Sequence, residues 1–230
     1  MGTLRFTFKV VVICLALAGQ AQSVVDTTHQ KVKEPIDWKP SLVRLGYDMG
    51  GLGLSAVGSG HVRLEGMAEI DISNWFAVVE GGYQSTQRGL NYTYQSSGTF
   101  WRIGADKNLT PKLPGGHVVS FGFRYARSSF QETFEYGGFN TSNPSLTAGW
   151  LEMTSGIRMK LWRQLYMGYQ IRLRGFKRTS DDLGPLQTYD IPGFGRNKKS
   201  GLTVRNGGVG FNYYVYWTIP YRQKQLESAD

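Results

Sequence analysis

The sharpest chemical grouping in this sequence is His61 with Ser59 just before it and Asp181 or Asp182 far along the chain. A histidine base that takes a proton from a serine, with a carboxylate orienting the ring, is the machinery of acyl transfer. His61 stands where a strand is expected to meet its outer mouth, and Asp181-Asp182 belong to the longest connection, so one rim could gather all three. The plain alternative is a solvated strand-end histidine beside a turn-forming serine. Of the other two histidines, His29 falls in a polar stretch and His117 at the far end of its strand. No histidine metal site is expected, and no cofactor is implied.

A second grouping is basic. Arg196, Lys198 and Lys199 share the connection Lys177 to Thr203 with Asp181-Asp182 and the aromatic–glycine run Tyr189 to Gly195. Such a cluster would dock phosphates by charge attraction, and long connections are either functional or merely solvated. The nucleophile-elbow, zinc-protease and phosphate-loop motifs are absent. Gly50 to Gly60 is glycine-rich but has no lysine, so it is expected to be a flexible loop rather than a phosphate cradle.

Export comes first among the elements that must position these groups. Arg5 and Lys9 precede the apolar run Val10 to Ala18, with small residues following, as in a secretory signal over residues 1–21. The run is too short for a membrane helix, which needs about 20 residues. Cys14 lies inside it, so the mature chain has no thiol for a disulfide or a metal. Loss of Arg5 and Lys9 lowers the formal charge from +9 to +7. The remaining charges sit at alternate positions rather than in blocks, which argues against a nucleic-acid partner. Residues 22–40 are polar with two prolines and are expected to be a linker.

From residue 41 to 220 the hydrophobic pattern has period two, the mark of strands. Eight such segments fit: 41–49, 61–72, 75–84, 92–107, 117–128, 148–162, 165–176 and 204–219. The links alternate between long (Gly50–Gly60, Ser85–Asn91, Ser129–Thr147, Lys177–Thr203) and short (Ser73-Asn74, Asn108–Gly116, Arg163-Gln164). This is the rhythm of an eight-stranded antiparallel up-and-down transmembrane β-barrel with its long loops outside. Residues 221–230 then form a periplasmic tail.

Alternation alone does not say which face is inside; the glycines do. Gly46, Gly82, Gly104, Gly122 and Gly168 share their face with the charged residues. A narrow barrel can hold arginine and glutamate inside only where neighbours are small, whereas a solvated face has no such need. The lumen is therefore expected to hold Arg44, Arg63, Arg102, Arg124, Arg158, Lys160, Arg172 and Arg174, opposed by Asp48, Glu65, Glu69, Asp71, Glu80, Asp106 and Glu152. Near-balance is what a water-poor interior requires.

The Leu45-Gly46-Tyr47-Asp48 start, the Ile191-Pro192-Gly193-Phe194-Gly195 loop and the closing Tyr213-Tyr214-Val215-Tyr216 strand resemble small outer-membrane barrels of the Bacteroidetes type, with an architecture similar to the OmpA/OmpX class. That resemblance implies the barrel architecture over roughly residues 41–220 and an outer-membrane location, and it carries over no functional residues. With no catalytic motif, a basic loop and dispersed charge, the expectation is a non-enzymatic structural or surface-binding role as a monomer, with outer-membrane lipid, lipopolysaccharide and the barrel-assembly machinery as partners. A Ser59-His61-Asp181 rim would instead resemble the lipid A acyltransferases and deacylases of that membrane.

Overall fold

The structure, a computed structural model, describes residues 40–58, 60–89, 91–179, 190–196 and 207–220. Apart from Pro40, the expected signal, linker and tail lie outside the described residues. Strands β1 (Pro40–Asp48), β2 (His61–Ile72), β3 (Trp75–Arg88), β4 (Thr93–Asn108), β5 (Val118–Tyr136), β6 (Phe139–Trp162), β7 (Leu165–Thr179) and β10 (Gly208–Pro220) form one ring, and a short hairpin pairs β8 (Asp190–Ile191) with β9 (Gly195–Arg196). Every neighbour in the ring is antiparallel, and β10 closes it against β1 through pairs from Leu42–Pro220 to Asp48–Tyr214. The fold is all-β: an up-and-down barrel of eight strands.

The sequence pattern explains the wall. Along β5, Val118, Ser120, Gly122, Arg124, Ala126 and Ser128 are buried while Phe121, Phe123 and Tyr125 are exposed. Along this stretch charged and small residues point into the lumen and large apolar ones point out, while farther on the same strand Phe130 is buried. At Gly46 a Cβ would lie 2.7 Å from Tyr216 Cδ1, so only glycine leaves room for the ring beside it. Trp75, Trp162 and Trp217, at the ends of strands nearest the short turns, are exposed.

Three expectations are corrected. Gly50–Gly60 is not all loop: Met49–Ala56 forms helix α1, and Ser55 Oγ ties it to β2 by accepting from Arg63 N–H at 2.8 Å. Ser129–Thr147 is not a loop either. β5 and β6 run on through it to a two-residue turn, Gly137-Gly138, whose φ values of 56° and 84° are those of a primed hairpin turn. Pro144 is tolerated in β6 because the ladder to β5 shifts register around it, between Phe130 and Glu132. Lastly, Lys160 is exposed rather than in the lumen, where the β6–β7 ladder shifts between Lys160 and Trp162.

Valine at both Gly137 and Gly138 would force left-handed backbone on branched residues. The expected outcome is faster amide exchange over residues 134–142 with an unchanged global unfolding midpoint; equal exchange rates would contradict the turn assignment.

Candidate functional site

The lumen holds one continuous ionic network to which every strand of the ring contributes. Its centre is Arg102 (β4) and Arg172 (β7), both without solvent exposure. Arg102 Nη1 lies 2.7 Å from Glu65 and 3.2 Å from Glu80, and its Nε lies 3.2 Å from Glu152. Arg172 reaches the same three carboxylates, at 2.7 Å from Glu80, 3.1 Å from Glu152 and 3.4 Å from Glu65. Toward the turn end, Arg124 pairs with Asp106 at 2.7 Å, and Arg158 bridges Asp106 and Glu69, which also holds Arg44. Toward the loop end, Arg63 bridges Glu65 and Asp48. From β10, Tyr214 Oη donates to Glu65, and Asn212 accepts from Arg172 Nε at 2.8 Å and donates to Asp48.

The structure thus brings together all eight residues expected to form the interior network: Arg44, Arg63, Glu65, Arg102, Asp106, Arg124, Glu152 and Arg172. Aromatic rings line the turn end, where Phe76 is flanked by the guanidinium groups of Arg44 (5.1 Å) and Arg158 (5.0 Å). Sequence reasoning placed no weight on Tyr214 or Trp150, which donate to Glu65 and Glu152. Alternation along β10 and β6 puts both on the buried face, so the signal was present.

The loop end is closed by the hairpin β8–β9, which packs inside the barrel. Ile191 and Phe194 are buried with Phe100, Phe130, Leu146 and Trp150. At Gly193, φ is +79° and a Cβ would lie 2.6 Å from Phe100 Cγ, so the hairpin tip requires glycine. The ionic network also holds this hairpin: Arg102 Nη2 donates to Gly193 O at 2.9 Å, and Arg174 Nη1 to Phe194 O at 2.7 Å. Among the described residues, seven arginines and six carboxylates are joined in the network, and the hairpin carbonyls take up donors that the carboxylates leave over. The described part of the connection expected to be a surface loop is therefore an internal plug. The Arg196 side chain, Lys198, Lys199 and Asp181 lie outside what is described.

Asp190 anchors the hairpin. Its N–H donates to Tyr94 Oη at 3.0 Å, and its carbonyl accepts from Ser96 at 2.9 Å. Its carboxylate faces Gln84, Thr86 and, at 3.9 Å, Arg88, all from β3. Burial outweighs these partners and pushes the carboxyl up to about 6.

His61 is half-buried at the start of β2, with Nδ1 3.0 Å from Thr86 Oγ1. Ser59 and Asp181, its expected partners, lie outside the described residues. Among the described residues, no group of His, Cys, Asp or Glu could hold a metal ion.

The sequence model of a family described as a domain of unknown function, DUF6048, matches residues 3–224. Among solved structures, the chain is similar to Neisserial surface protein A from Neisseria at 10% identity, covering 79% of this chain and 96% of that one, with a TM-score of 0.39. It is also similar to a major outer membrane protein from Thermus thermophilus at 11% identity, covering 78% and 98%, with a TM-score of 0.39. No curated protein matches it in sequence.

Two outcomes are expected at this site. Arg102→Met removes one of the two guanidinium groups shared by Glu65, Glu80 and Glu152, each of which keeps Arg172, and leaves Gly193 O without its donor. It should lower unfolding stability in detergent by roughly 3 kcal/mol, whereas Lys160→Met should leave it unchanged. Equal midpoints for the two variants would contradict a buried network. For Asp190, the docked carboxyl titrates above a free one, so docking favours the protonated form. Hairpin docking should be tightest below about pH 4 and weaken as pH rises through about 6. Amide exchange of residues 190–195 against pH reads this, and Asp190→Asn should flatten the profile; an equally steep profile in that variant would contradict it.

Proposed function

The chain belongs to the DUF6048 family, a domain of unknown function, and we propose that it is an outer-membrane β-barrel with a structural or surface-binding role, plugged against solute flow. The observation that carries the proposal is the inversion of the wall. Charge is buried inside, while Ile103, Phe123, Leu173 and Phe211 are each more than half exposed around the outside. A water-soluble protein rarely shows a contiguous apolar surface beyond a few hundred Å². In a bilayer the same surface is satisfied, and a closed ring leaves no unpaired strand edge in lipid. Among the described residues no helix is long and apolar enough to cross a membrane; in this proposal the eight strands of the ring are the spanning elements.

In this orientation the short turns face the periplasm, where an exported N-terminus would begin, and the β5–β6 hairpin projects outward. The chain is proposed to work as a monomer, delivered by the assembly machinery and surrounded by outer-membrane lipid and lipopolysaccharide. Eight strands give a lumen that side chains fill, and the network and hairpin occupy this one, which supports a non-conducting barrel.

Folded barrels of this kind should run faster on a detergent gel unboiled than boiled, and the protein should sediment with the outer-membrane fraction. Refolded protein in a planar bilayer should give no porin-sized unitary conductance. A freely soluble periplasmic pool, or stable large conductance, would overturn the proposal.

A further inference from the structure

One row of the outer wall departs from the apolar belt. Arg127 of β5 pairs with Gly149 of β6, and Gly149 pairs with Arg178 of β7, so two arginines flank a glycine on neighbouring strands. Strands lie about 4.8 Å apart, which sets the two arginine backbones ~10 Å from each other. Both side chains are exposed, and no described carboxylate forms an ion pair with either. Between them is an open cleft of about 510 Å³, walled by Tyr125, Leu151 and Thr179. The Tyr125 hydroxyl lies 3.4 Å from where a Gly149 Cβ would be, so it hangs over the glycine floor. Trp101, edge-on to Tyr125 at 5.7 Å, holds that ring in place.

The second arginine is there because of a β-bulge. Leu151 pairs with Gly175, but Gly149 pairs with Arg178, so β7 carries one extra residue between these pairs. Without it, Arg178 would share the inward parity of Arg172 and Arg174 and enter the lumen. Bulges re-aim side chains in this way. An interfacial arginine needs no such device merely to reach water, since a long side chain can extend to the surface from its own position.

The row also lies at a definite depth. Outward residues on β5 change from Phe121, Phe123 and Tyr125 to Arg127, Ser129 and Gln131. On β7 the change falls between Leu173 and Arg178. Arg127 is nine residues beyond Val118; at about 3.3 Å per residue and a tilt of ~40° this is ~23 Å, close to the ~25 Å height of an apolar belt.

From this geometry we propose that Arg127, Gly149 and Arg178 form a lipid-facing cleft that binds a sugar-linked phosphate of an outer-leaflet glycolipid, the phosphate of lipid A. The two guanidinium groups donate to the phosphate oxygens from either side, Tyr125 adds a hydroxyl donor, and the acyl chains lie along Leu151 and Met153 below. This rests on the outer-membrane orientation proposed above, since only that orientation puts the row in the outer leaflet.

The test is native mass spectrometry of the refolded full chain from detergent with diphosphorylated lipid A, dephosphorylated lipid A or phosphatidylglycerol. Wild type should retain the diphosphorylated lipid preferentially. Arg127→Gln with Arg178→Gln should weaken retention by roughly ten-fold per arginine. Gly149→Leu, which fills the floor and keeps both charges, should also lose it. Heat-modified gel mobility and bilayer insertion are read for every variant. Failure of wild type to insert would sink the membrane proposal and this site with it. Correct insertion with equal retention of all three lipids, or undiminished retention in the double variant, would sink the site alone.

Discussion

The buried guanidinium–carboxylate network is the constraint on which the rest of this barrel depends. Charges taken out of water are costly unless each has partners of opposite sign and its remaining donors are met. Arg102 and Arg172 meet that condition only because β2, β3 and β6 all close around them. The ring must therefore be complete before its interior is satisfied, which ties the network to closure rather than to any one strand pair. The same condition requires glycines beside the long side chains, and at the level of the ionic layer it leaves the large apolar residues such as Ile103, Phe123 and Tyr125 on the outside, while Phe76, Phe100 and Trp150 fill the lumen above and below it.

The lumen is layered as a result. Aromatic rings with Met67 and Val78 fill the turn end, the ionic layer lies between, and the apolar hairpin caps the loop end. The hairpin is held from below by arginine donors to its carbonyls and from the side by Asp190 contacts to Tyr94 and Ser96. A water-filled path would have to break both sets. In the proposed reading this barrel presents an outer surface rather than passing solutes.

The strands were legible because side chains alternate strictly across a thin wall, so Arg102 and Asp106 inside and Trp101 and Ile103 outside could be told from order alone. The inward direction of the charged face was legible from glycine placement. Less legible were features that depend on partners distant in sequence. The β5–β6 extension was hidden because its outward residues are polar, as at Gln131 and Thr133, so it lacks an apolar stripe, although Gly137-Gly138 is a hairpin signal. The plug was hidden because Ile191 to Phe194 resembles an exposed aromatic loop until Phe100 and Trp150 are brought beside it. The bulge that turns Arg178 outward leaves no mark in the sequence of β7, because parity there is set by the register with β6.

The central claim is a wall with charge inside and lipid outside, and spin-label accessibility along one strand measures it most directly. Single cysteines at Ser120, Phe121, Phe123, Tyr125, Ser128, Ser129 and Gln131 of β5 would be labelled in the bilayer-refolded protein. Labels at Phe121, Phe123 and Tyr125 should be relaxed by oxygen and not by a water-soluble nickel reagent. Those at Ser129 and Gln131 should respond to nickel, and those at Ser120 and Ser128 should respond weakly to both. Nickel access at Phe121, Phe123 and Tyr125 equal to that at Gln131 would contradict a lipid-facing wall.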